Sequence, residues 1–443
     1  MTSRFRQPAR HRRLTALTGV ILVALPLAAS FSAPAGPDEI APAYLSDADR
    51  ASFRRGAEEL RRHWVVAPSA LGEWGRGPRS NGASCVECHG APGTAPESPG
   101  PVLRLAVPGS DATMAPHPVY GAQLQTDGIA GRLAPEGRVA VTWRTREVVL
   151  GDGTRVTLRE PRATATDLAF GPLGTATRQS LRQPLRLAGL GLLEGIPERA
   201  LAAQERESDR RGVPGHLHRY PDPDSGTALP GRFGWKATGS TLAGQVAAAF
   251  HEDIGVTSRL RPEENCPAAQ ADCLGAATGR TPELSDAALA DLLLYLRHVP
   301  APARGPADAN GELEKGSLLF AAVGCEDCHR PHWKTRLPTD APDKPARSIF
   351  PYTDLLVHDL GPELDDGFAE GRATGREWRT PPLWGRAANA LAGAPTALLH
   401  DGRARNVEEA ILWHGGQGEP ARRAYMQLER TDRERLVRFV DSL

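Results

Sequence analysis

Two short segments of the chain place two cysteines and one histidine at the same spacing. The residues are Cys85, Cys88 and His89 in the first segment (CVECH), and Cys325, Cys328 and His329 in the second (CEDCH). Two thiols at this spacing can bond the two vinyl groups of a haem, and the histidine that follows is then delivered to the iron as an axial ligand. We therefore predict two covalently bound c-type haems.

Paired cysteines at this spacing also occur in zinc sites and in thioredoxin-like redox motifs. A zinc site would require the two pairs, which are far apart in the chain, to meet in space. It would also leave the histidine that follows each pair unexplained. The repetition of all three residues favours haem attachment.

The first 33 residues follow the order of a secretory signal peptide. Residues 1–13 carry five arginines and no acidic residue, and residues 14–29 are apolar except for Thr15 and Thr18. Small residues follow, and the apolar stretch is short for a transmembrane helix. We predict a signal peptide at residues 1–33 and export to the periplasm, with an uncleaved N-terminal anchor as the alternative.

The composition indicates a loop-rich protein without a nucleic-acid partner. Formal net charge is zero, aromatic residues make up 5%, and the chain contains 46 glycines and 39 prolines. No block of basic residues lies outside the N-terminus, so nucleic-acid binding is not expected. A chain poor in aromatic residues would gain from burying two haems.

Two further cysteines, Cys266 and Cys273, lie in a polar loop. In an oxidising compartment, two remaining cysteines seven positions apart indicate a local disulfide, and two free thiols are the alternative.

Helical patterns precede each haem motif and recur near the end of each half of the chain. They span Ser46–Trp64 and Ser285–His298 in the first half, and Gly311–Val323 and Thr431–Leu443 in the second. Thr431 and Glu434 fit a capping box. We predict a mainly α fold of two cytochrome c-like helical domains, residues 41–300 and 301–443.

The first domain is longer than one cytochrome unit, which predicts an insertion. Gly137–Arg159 alternates apolar and polar residues around a Gly-Asp-Gly turn and is predicted to be a β-hairpin. Leu185–Leu201 is predicted to be helical in two pieces, because a glycine and a proline interrupt it. Leu242–Phe250 is also predicted to be helical, and Glu205–Gly231 is predicted to be a long surface loop.

Several longer segments carry a resemblance to a known family. The chain resembles the di-haem oxidoreductases, a family of peroxidase-like and thiol-oxidoreductase-like proteins, over nearly everything after the signal peptide. The segments are Tyr120–Gln125, Gly189–Pro197, Gly231–Ala237, Ala248–Ser258, Tyr352–Gly361, Glu377–Gly385 and Leu399–Gly416. The second domain is also similar to bacterial di-haem cytochrome c peroxidases and to the di-haem enzyme that matures methylamine dehydrogenase.

The resemblance implies a distal ligand for the second iron. In the wider group, a His-Asp-Gly turn precedes a helix that presents this ligand, which is Met in the peroxidases and Tyr in the maturation enzyme. The corresponding position here is His414, counted from His400. Met426, just before the closing helix, is the competing candidate, and a structural role for both residues is the third reading.

The first iron has no single candidate for its sixth ligand. His117 lies in a rigid Pro-His-Pro loop and could reach the iron, although a surface histidine is an equal reading. Met114, His251 and a water molecule are the other possibilities.

Two further residues are candidates for catalysis. Glu194 sits in an apolar stretch and could move protons during peroxide cleavage, although a capping or solvated carboxylate is the alternative. Trp235 could lie between the haems, or could be ordinary core packing. The peroxidase relatives also bind calcium, and the acidic run Glu363–Asp366 is a possible site for this ion.

The leading hypothesis is an exported di-haem c-type oxidoreductase of peroxidase type. Electrons would enter at the second haem from a donor protein or a small redox carrier, and would pass to the first haem, where peroxide or another small oxidant is reduced. The alternatives are an electron-transfer cytochrome with no catalysis of its own and a haem enzyme that acts on a thiol or protein substrate.

Overall fold

The structure is a computed structural model that describes six stretches of the chain, residues 40–69, 74–91, 100–109, 113–337, 346–391 and 397–443. The predicted signal peptide lies outside these residues. The described part of Pro34–Leu443 belongs to one compact unit. Within the described stretches, no helix is both long enough and apolar enough to cross a membrane.

The helices of the described chain are mostly short. In chain order they are α1 Asp47–Arg61, α2 Cys85–His89, α3 Leu190–Glu194, α4 Glu198–Arg210, α5 Leu242–Ala249, α6 Ala271–Leu274, α7 Asp286–His298, α8 Glu312–Ala322, α9 Arg386–Leu391, α10 Val407–Trp413, α11 Glu419–Gln427 and α12 Arg430–Asp441. A π-helical turn, Phe250–Ile254, continues α5. Turns of 3₁₀ helix occupy Cys325–Asp327, Pro362–Leu364 and Gly416–Gly418.

The strands form several small sheets. They are β1 Val65–Val66, β2 Trp74–Arg76, β3 Val102–Pro108, β4 Met114–Pro116, β5 Arg138–Val149, β6 Arg155–Thr166, β7 Arg178–Arg182, β8 Arg219–Pro221, β9 Ala228–Pro230, β10 Trp333–Thr335, β11 Arg347–Ile349, β12 Val357–Asp359 and β13 Glu377–Arg379. One sheet has three strands in the order β4-β3-β7, and the others are pairs of strands. All pairings are antiparallel except β1–β2.

The prediction of a mainly α fold with two cytochrome c-like helical domains is wrong. The structure is only 32% helical and 20% strand. The difference arises because the described chain forms many strands, most of them only two to five residues long, and because β7 pairs with the distant strand β3, with Val102 opposite Arg182. Most of these strands are too short for an alternating pattern to be recognised in the sequence, and a pairing between distant segments cannot be seen in either segment alone. The boundary between residues 300 and 301 remains a prediction.

The helix patterns around the two motifs do correspond to helices. Ser46 caps α1 by accepting a hydrogen bond from the Asp49 amide, and Gly195 and Pro197 separate α3 from α4. The capping box predicted at Thr431 is wrong, because α12 begins at Arg430 and Thr431 lies inside its first turn.

Helices α1 and α7 pack closely and form much of the first hydrophobic core. Phe53 and Tyr295 are tilted rings with centroids 4.8 Å apart. A Cβ atom at Gly56 would lie 2.1 Å from the carbonyl oxygen of Asp291, so the close approach of the two backbones requires a glycine there. This packing holds the helix that precedes the first motif.

Helices α8 and α12 pack in a similar way around the second core. Phe320 makes edge-to-face contacts with Tyr352 and Phe439, at centroid distances of 6.0 and 5.5 Å. A Cβ atom at Gly316 would lie 2.3 Å from the Arg435 carbonyl oxygen. Phe320 is also 6.3 Å, centroid to centroid, from the ring of His329, so this core adjoins the second motif.

The predicted hairpin and disulfide are both confirmed. The hairpin is β5–β6, whose second strand continues to Thr166, and its turn packs on the second half of the chain through the Gly151 amide, which donates to the Met426 carbonyl at 2.8 Å. Cys266 and Cys273 are bonded, with Cα atoms 5.7 Å apart.

Candidate functional site

A single large cavity contains both cysteine motifs. Its volume is about 1250 Å³, and its walls include Cys85, Cys88, His89, Cys325, Cys328 and His329. Pockets for single drug-sized ligands are typically about 300–1,000 Å³, so this space is larger than one such ligand needs. The fold therefore brings together two motifs that are far apart in sequence.

The histidine of each motif is oriented by a backbone carbonyl. The Nδ1–H of His89 donates to the Leu185 oxygen at 2.5 Å, and that of His329 donates to the Tyr352 oxygen at 3.0 Å. Burial lowers the pKa of both imidazoles, to about 4 for His329. Each ring is therefore neutral, and its Nε2, which has no hydrogen-bond partner among the described residues, is the atom that can bind a metal.

His414 lines the same cavity, directly after α10. Its Nδ1–H donates to the Ala410 carbonyl at 2.6 Å, which leaves Nε2 as the potential ligand atom. His414 is close enough to His329 to lower the pKa of that imidazole, although burial is the larger cause. Met426, the competing candidate, packs against the second hydrophobic core and lies outside the described lining of the cavity.

The candidates for the first iron are placed very differently. Met114, in β4, lines the cavity. His117 lies outside its described walls, because its Nε2 donates to the Leu173 carbonyl at 3.1 Å and its Nδ1 accepts from the Val119 amide at 3.1 Å. His251 also lies outside these walls, with its Nε2 3.1 Å from the Glu263 carbonyl. Of the three side chains proposed from the sequence, the structure brings only Met114 to the cavity.

The two residues proposed for catalysis are also separated by the fold. Glu194 forms an ion pair with Arg297 at 2.7 Å and accepts the Leu242 amide at 2.9 Å, so it caps α5 and ties it to α7 outside the described lining. Trp235 lines the cavity. Its indole N–H donates to the Gln183 carbonyl at 2.8 Å.

A polar group on the first-motif side was missed in the sequence. Asp253 lies in the π-helical turn after α5, lines the cavity, and accepts a hydrogen bond from the Gln123 amide at 2.7 Å. Burial raises the pKa of Asp253 to about 6, whereas the Gln123 bond opposes this change. Arg104 and Glu252, which form an ion pair, line the wall beside it. Nothing in the sequence indicated that Gln123 and Asp253 would meet.

An aromatic stack on another wall was also missed. The rings of Trp378 and His400 are stacked with centroids 3.7 Å apart and an interplanar angle of 11°, and Trp235 meets His400 edge-on at 6.5 Å. Burial, together with the charges of Arg182 and Arg403, holds the pKa of His400 well below its usual range. His400 is therefore a neutral imidazole at neutral pH.

One group within the described chain has the composition of a metal site. Ligand atoms of Cys328, Asp354 and His358 lie within 4.8 Å of one another. Asp354 and His358 also form an ion pair at 2.8 Å. The Cys328 sulfur belongs to the second haem motif, so attachment of haem would remove it from this group.

The acidic run predicted to bind calcium, Glu363–Asp366, forms ion pairs with arginines. Glu363 pairs with Arg146 at 2.5 Å, and the carboxylates of Asp365 and Asp366 pair with other arginines.

The residues present fit two covalent haems. Each motif offers two thiols and a neutral imidazole whose orientation is fixed, and all of these line a cavity with mainly apolar walls. Some residues of the cavity wall also carry buried polar atoms that have no hydrogen-bond partner in the described chain. Arg182 Nη2 and Ser240 Oγ are two of these atoms. Such atoms indicate that a polar group occupies part of the cavity.

Three comparisons bear on identity. The family model described as "Di-haem oxidoreductase, putative peroxidase" matches residues 172–443. No curated protein matches the chain. The solved structure titled "Kuenenia stuttgartiensis Hydrazine Synthase Pressurized with 20 bar Xenon" is 20% identical, with a TM-score of 0.23, over 40% of this chain and 63% of that one.

Proposed function

Because the chain belongs to the di-haem oxidoreductase family, we propose that it is an exported di-haem c-type peroxidase that reduces a small oxidant such as hydrogen peroxide. One observation carries this proposal. The two cysteine motifs line one cavity, and His414, whose Nε2 has no hydrogen-bond partner in the described chain, lies close enough to His329 to lower the pKa of that imidazole. Neither histidine considered for the first iron, His117 or His251, belongs to the described lining.

The two motifs have different surroundings in the cavity, so the two haems would have different roles. When bound, the haems supply the one-electron chemistry, and the chain holds them and controls access and protons. His329 and His414 would saturate the second iron, which suits it for receiving electrons from an external donor protein or a small carrier. His89 would hold the first iron. The described walls of the cavity also include Met114 and the polar group around Asp253, whose carboxylate acts electrostatically on Cys85 and Cys88.

Asp253 is better placed than Glu194 to move protons. Reduction of hydrogen peroxide consumes two electrons and two protons and yields two water molecules. A carboxyl group with a pKa of about 6 can both accept and donate a proton near neutral pH. Gln123 fixes its orientation, and the Arg104–Glu252 pair provides a polar wall on the same side.

Met114 favours a second candidate function. A thioether bound to the first iron would leave both irons with two protein ligands each, and the protein would then transfer electrons without catalysis. The position of Met114 in the cavity wall supports this alternative.

Ligand binding to the holoprotein distinguishes the two functions. We expect cyanide or carbon monoxide to bind one haem in the resting or half-reduced protein, with peroxide consumed at the expense of a reduced donor. If no redox state binds either ligand, the peroxidase proposal fails. The variant Met114→Ala should then open one iron to these ligands, while Met426→Ala, which removes the same side chain from a site outside the described cavity walls, should not.

A further inference from the structure

Arg182 is a buried cation in the wall of the cavity. It ends β7, and only 6% of its surface is exposed. Three residues later, Leu185 supplies the carbonyl that orients His89. Three residues of extended chain span at most about 10 Å, so the backbone of Arg182 lies near that of the first motif's histidine partner.

The two terminal nitrogens of the Arg182 guanidinium have no hydrogen-bond partner in the described chain. Its Nη1 lies 2.8 Å from Asp366 Oδ2, but the approach does not make a hydrogen bond, and neither Nη1 nor Nη2 has a hydrogen-bond partner in the described chain. A buried donor left unpaired costs about 1–3 kcal/mol, and more when it is charged. The side chain is therefore prepared for an acceptor that the protein itself does not provide.

Asp366 does not fully neutralise the charge of Arg182, because the same carboxylate also interacts with Lys236 and with two hydrogen-bond donors. It accepts the Ser180 hydroxyl at 2.6 Å and the Phe368 amide at 2.9 Å, and it also lies 3.6 Å from the ammonium of Lys236. Lys236 is fully buried, and its donors are occupied by the carbonyls of Thr374, Gly375 and Glu377. Two buried cations thus share one carboxylate.

Other charged residues nearby do not provide a hydrogen-bond acceptor for Arg182 in the described chain. Glu370 lines the cavity and acts electrostatically on Lys236, but it makes no hydrogen bond to Arg182. The guanidinium of Arg379, a second buried arginine in the wall, donates to the carbonyls of Gly234 and Thr380 within the described chain. Trp235 links the two chain segments that carry these arginines, because its indole N–H donates to the Gln183 carbonyl and its own carbonyl accepts the Arg379 amide at 2.8 Å.

Aromatic rings hold the guanidinium in place. Its Cζ lies 4.5 Å from the centroid of the Trp378 ring and 5.7 Å from that of Phe368. Trp378 is in turn stacked on His400. A cation fixed on ring faces in this way keeps its N–H edge available to a planar acceptor, and a carboxylate matches that edge with two parallel hydrogen bonds.

We propose that Arg182 binds a carboxylate inside the cavity, and that this carboxylate is a propionate of a haem attached at one of the two motifs. The inference rests on the proposed function, since it requires haem in the cavity. Each haem carries two propionates, and covalent attachment would confine them near Arg182. A free anion from solvent would have to enter the cavity and compete with them.

The test uses the full-length holoprotein with Arg182→Gln, Arg182→Lys and the control Arg178→Gln. Arg178 lies at the other end of β7 and is exposed, so its replacement removes the same charge outside the cavity. Haem is labelled with ¹³C at the propionate carboxyls, and redox-difference infrared spectra identify the bands that carry the label. Spectropotentiometry of the same samples gives the midpoint potentials.

We expect the labelled carboxylate bands to shift in Arg182→Gln, to shift less in Arg182→Lys, and to be unchanged in Arg178→Gln. One midpoint potential should fall in Arg182→Gln, because a nearby cation favours the reduced state. If the Arg182→Gln variant does not incorporate two haems, the comparison of wild type with Arg182→Lys provides the test.

Labelled bands that are identical in wild type and in both Arg182 variants would overturn the proposal. A midpoint potential that responds to added acetate or inorganic phosphate in wild type, but not in Arg182→Gln, would assign the site to a solvent anion and would also overturn it. Both outcomes are independent of the ligand-binding test, because a haem closed to cyanide can still have a propionate on Arg182.

Discussion

His329 and His414 line one cavity, and each presents its Nε2 because a backbone carbonyl holds its Nδ1. Tyr352 supplies the carbonyl for His329, at 3.0 Å, and Ala410 supplies that for His414, at 2.6 Å. These hydrogen bonds select the tautomer and the orientation that an iron ligand needs. Two further imidazoles of the described lining are already engaged, that of His358 by Asp354 and Gln417 and that of His400 by the Trp378 ring. Neither His117 nor His251 belongs to the described walls, so the two motifs differ in the protein ligands available to them.

Replacing His414 with Ala should open the second iron. We expect the oxidised holoprotein to lose one low-spin haem signal in its visible and paramagnetic resonance spectra, because the iron loses one of its two imidazoles. Met426→Ala is the matched control and should keep both signals. A low-spin spectrum that is unchanged in His414→Ala would rule out this residue as a ligand.

Replacing Asp253 with Asn should slow peroxide turnover by about 10²–10⁴-fold, the usual contribution of a positioned acid–base group. The pKa of Asp253 is raised to about 6, so its carboxylate form, which can accept a proton from peroxide, increases as the pH rises through 6. Steady-state kcat/KM should therefore rise through this range in wild type and remain flat in Asp253→Asn.

Glu194→Gln provides the control for this measurement. Glu194 pairs with Arg297 outside the described lining of the cavity, so its replacement should preserve the pH profile even if it lowers stability. A pH profile that depends on Glu194 and not on Asp253 would reverse the two assignments.

Replacing Gly56 with Ala should destabilise the protein by about 1–3 kcal/mol, as overpacking a core does. The added Cβ atom would lie 2.1 Å from the Asp291 carbonyl oxygen and would push α1 away from α7. Glu58→Ala is the control, because Glu58 lies on the same helix with an exposed side chain, so its replacement changes no packing against α7. Denaturant unfolding of the holoprotein measures the difference, and equal midpoints for the two variants would contradict the close packing.

Removing the disulfide by replacing Cys266 and Cys273 with Ser should lower the free energy of unfolding by about 2–3 kcal/mol, the value that loop entropy gives for so short a loop. The loop positions Asp272 against Arg79, whose Nη2 lies 2.6 Å from the carboxylate, so local order should also decrease. The haem spectra should not change, because both cysteines lie outside the described walls of the cavity. Thermal unfolding under non-reducing conditions checks the stability, and an unchanged transition would argue against any contribution from the bond.

The sequence by itself determined the features that are encoded locally. The two CxxCH motifs, the cap at Ser46, the disulfide and the hairpin β5–β6 each depend on residues within one short segment. Spacing, capping and alternation express local geometry, so they can be predicted without knowledge of the rest of the fold.

Only the tertiary structure decided the fold class and which polar residues reach the cavity. The sheet that pairs Val102 with Arg182 depends on contacts between distant segments, and most of the other strands in the described chain have only two or three residues, so a mainly α fold was predicted from the helical patterns alone. Glu194 stands in an apolar segment but is neutralised by Arg297, whereas Asp253 is half-buried in the cavity wall beside Gln123. The environment of a carboxylate is set by the groups that surround it in space, and these came from parts of the chain that its own sequence neighbourhood does not specify.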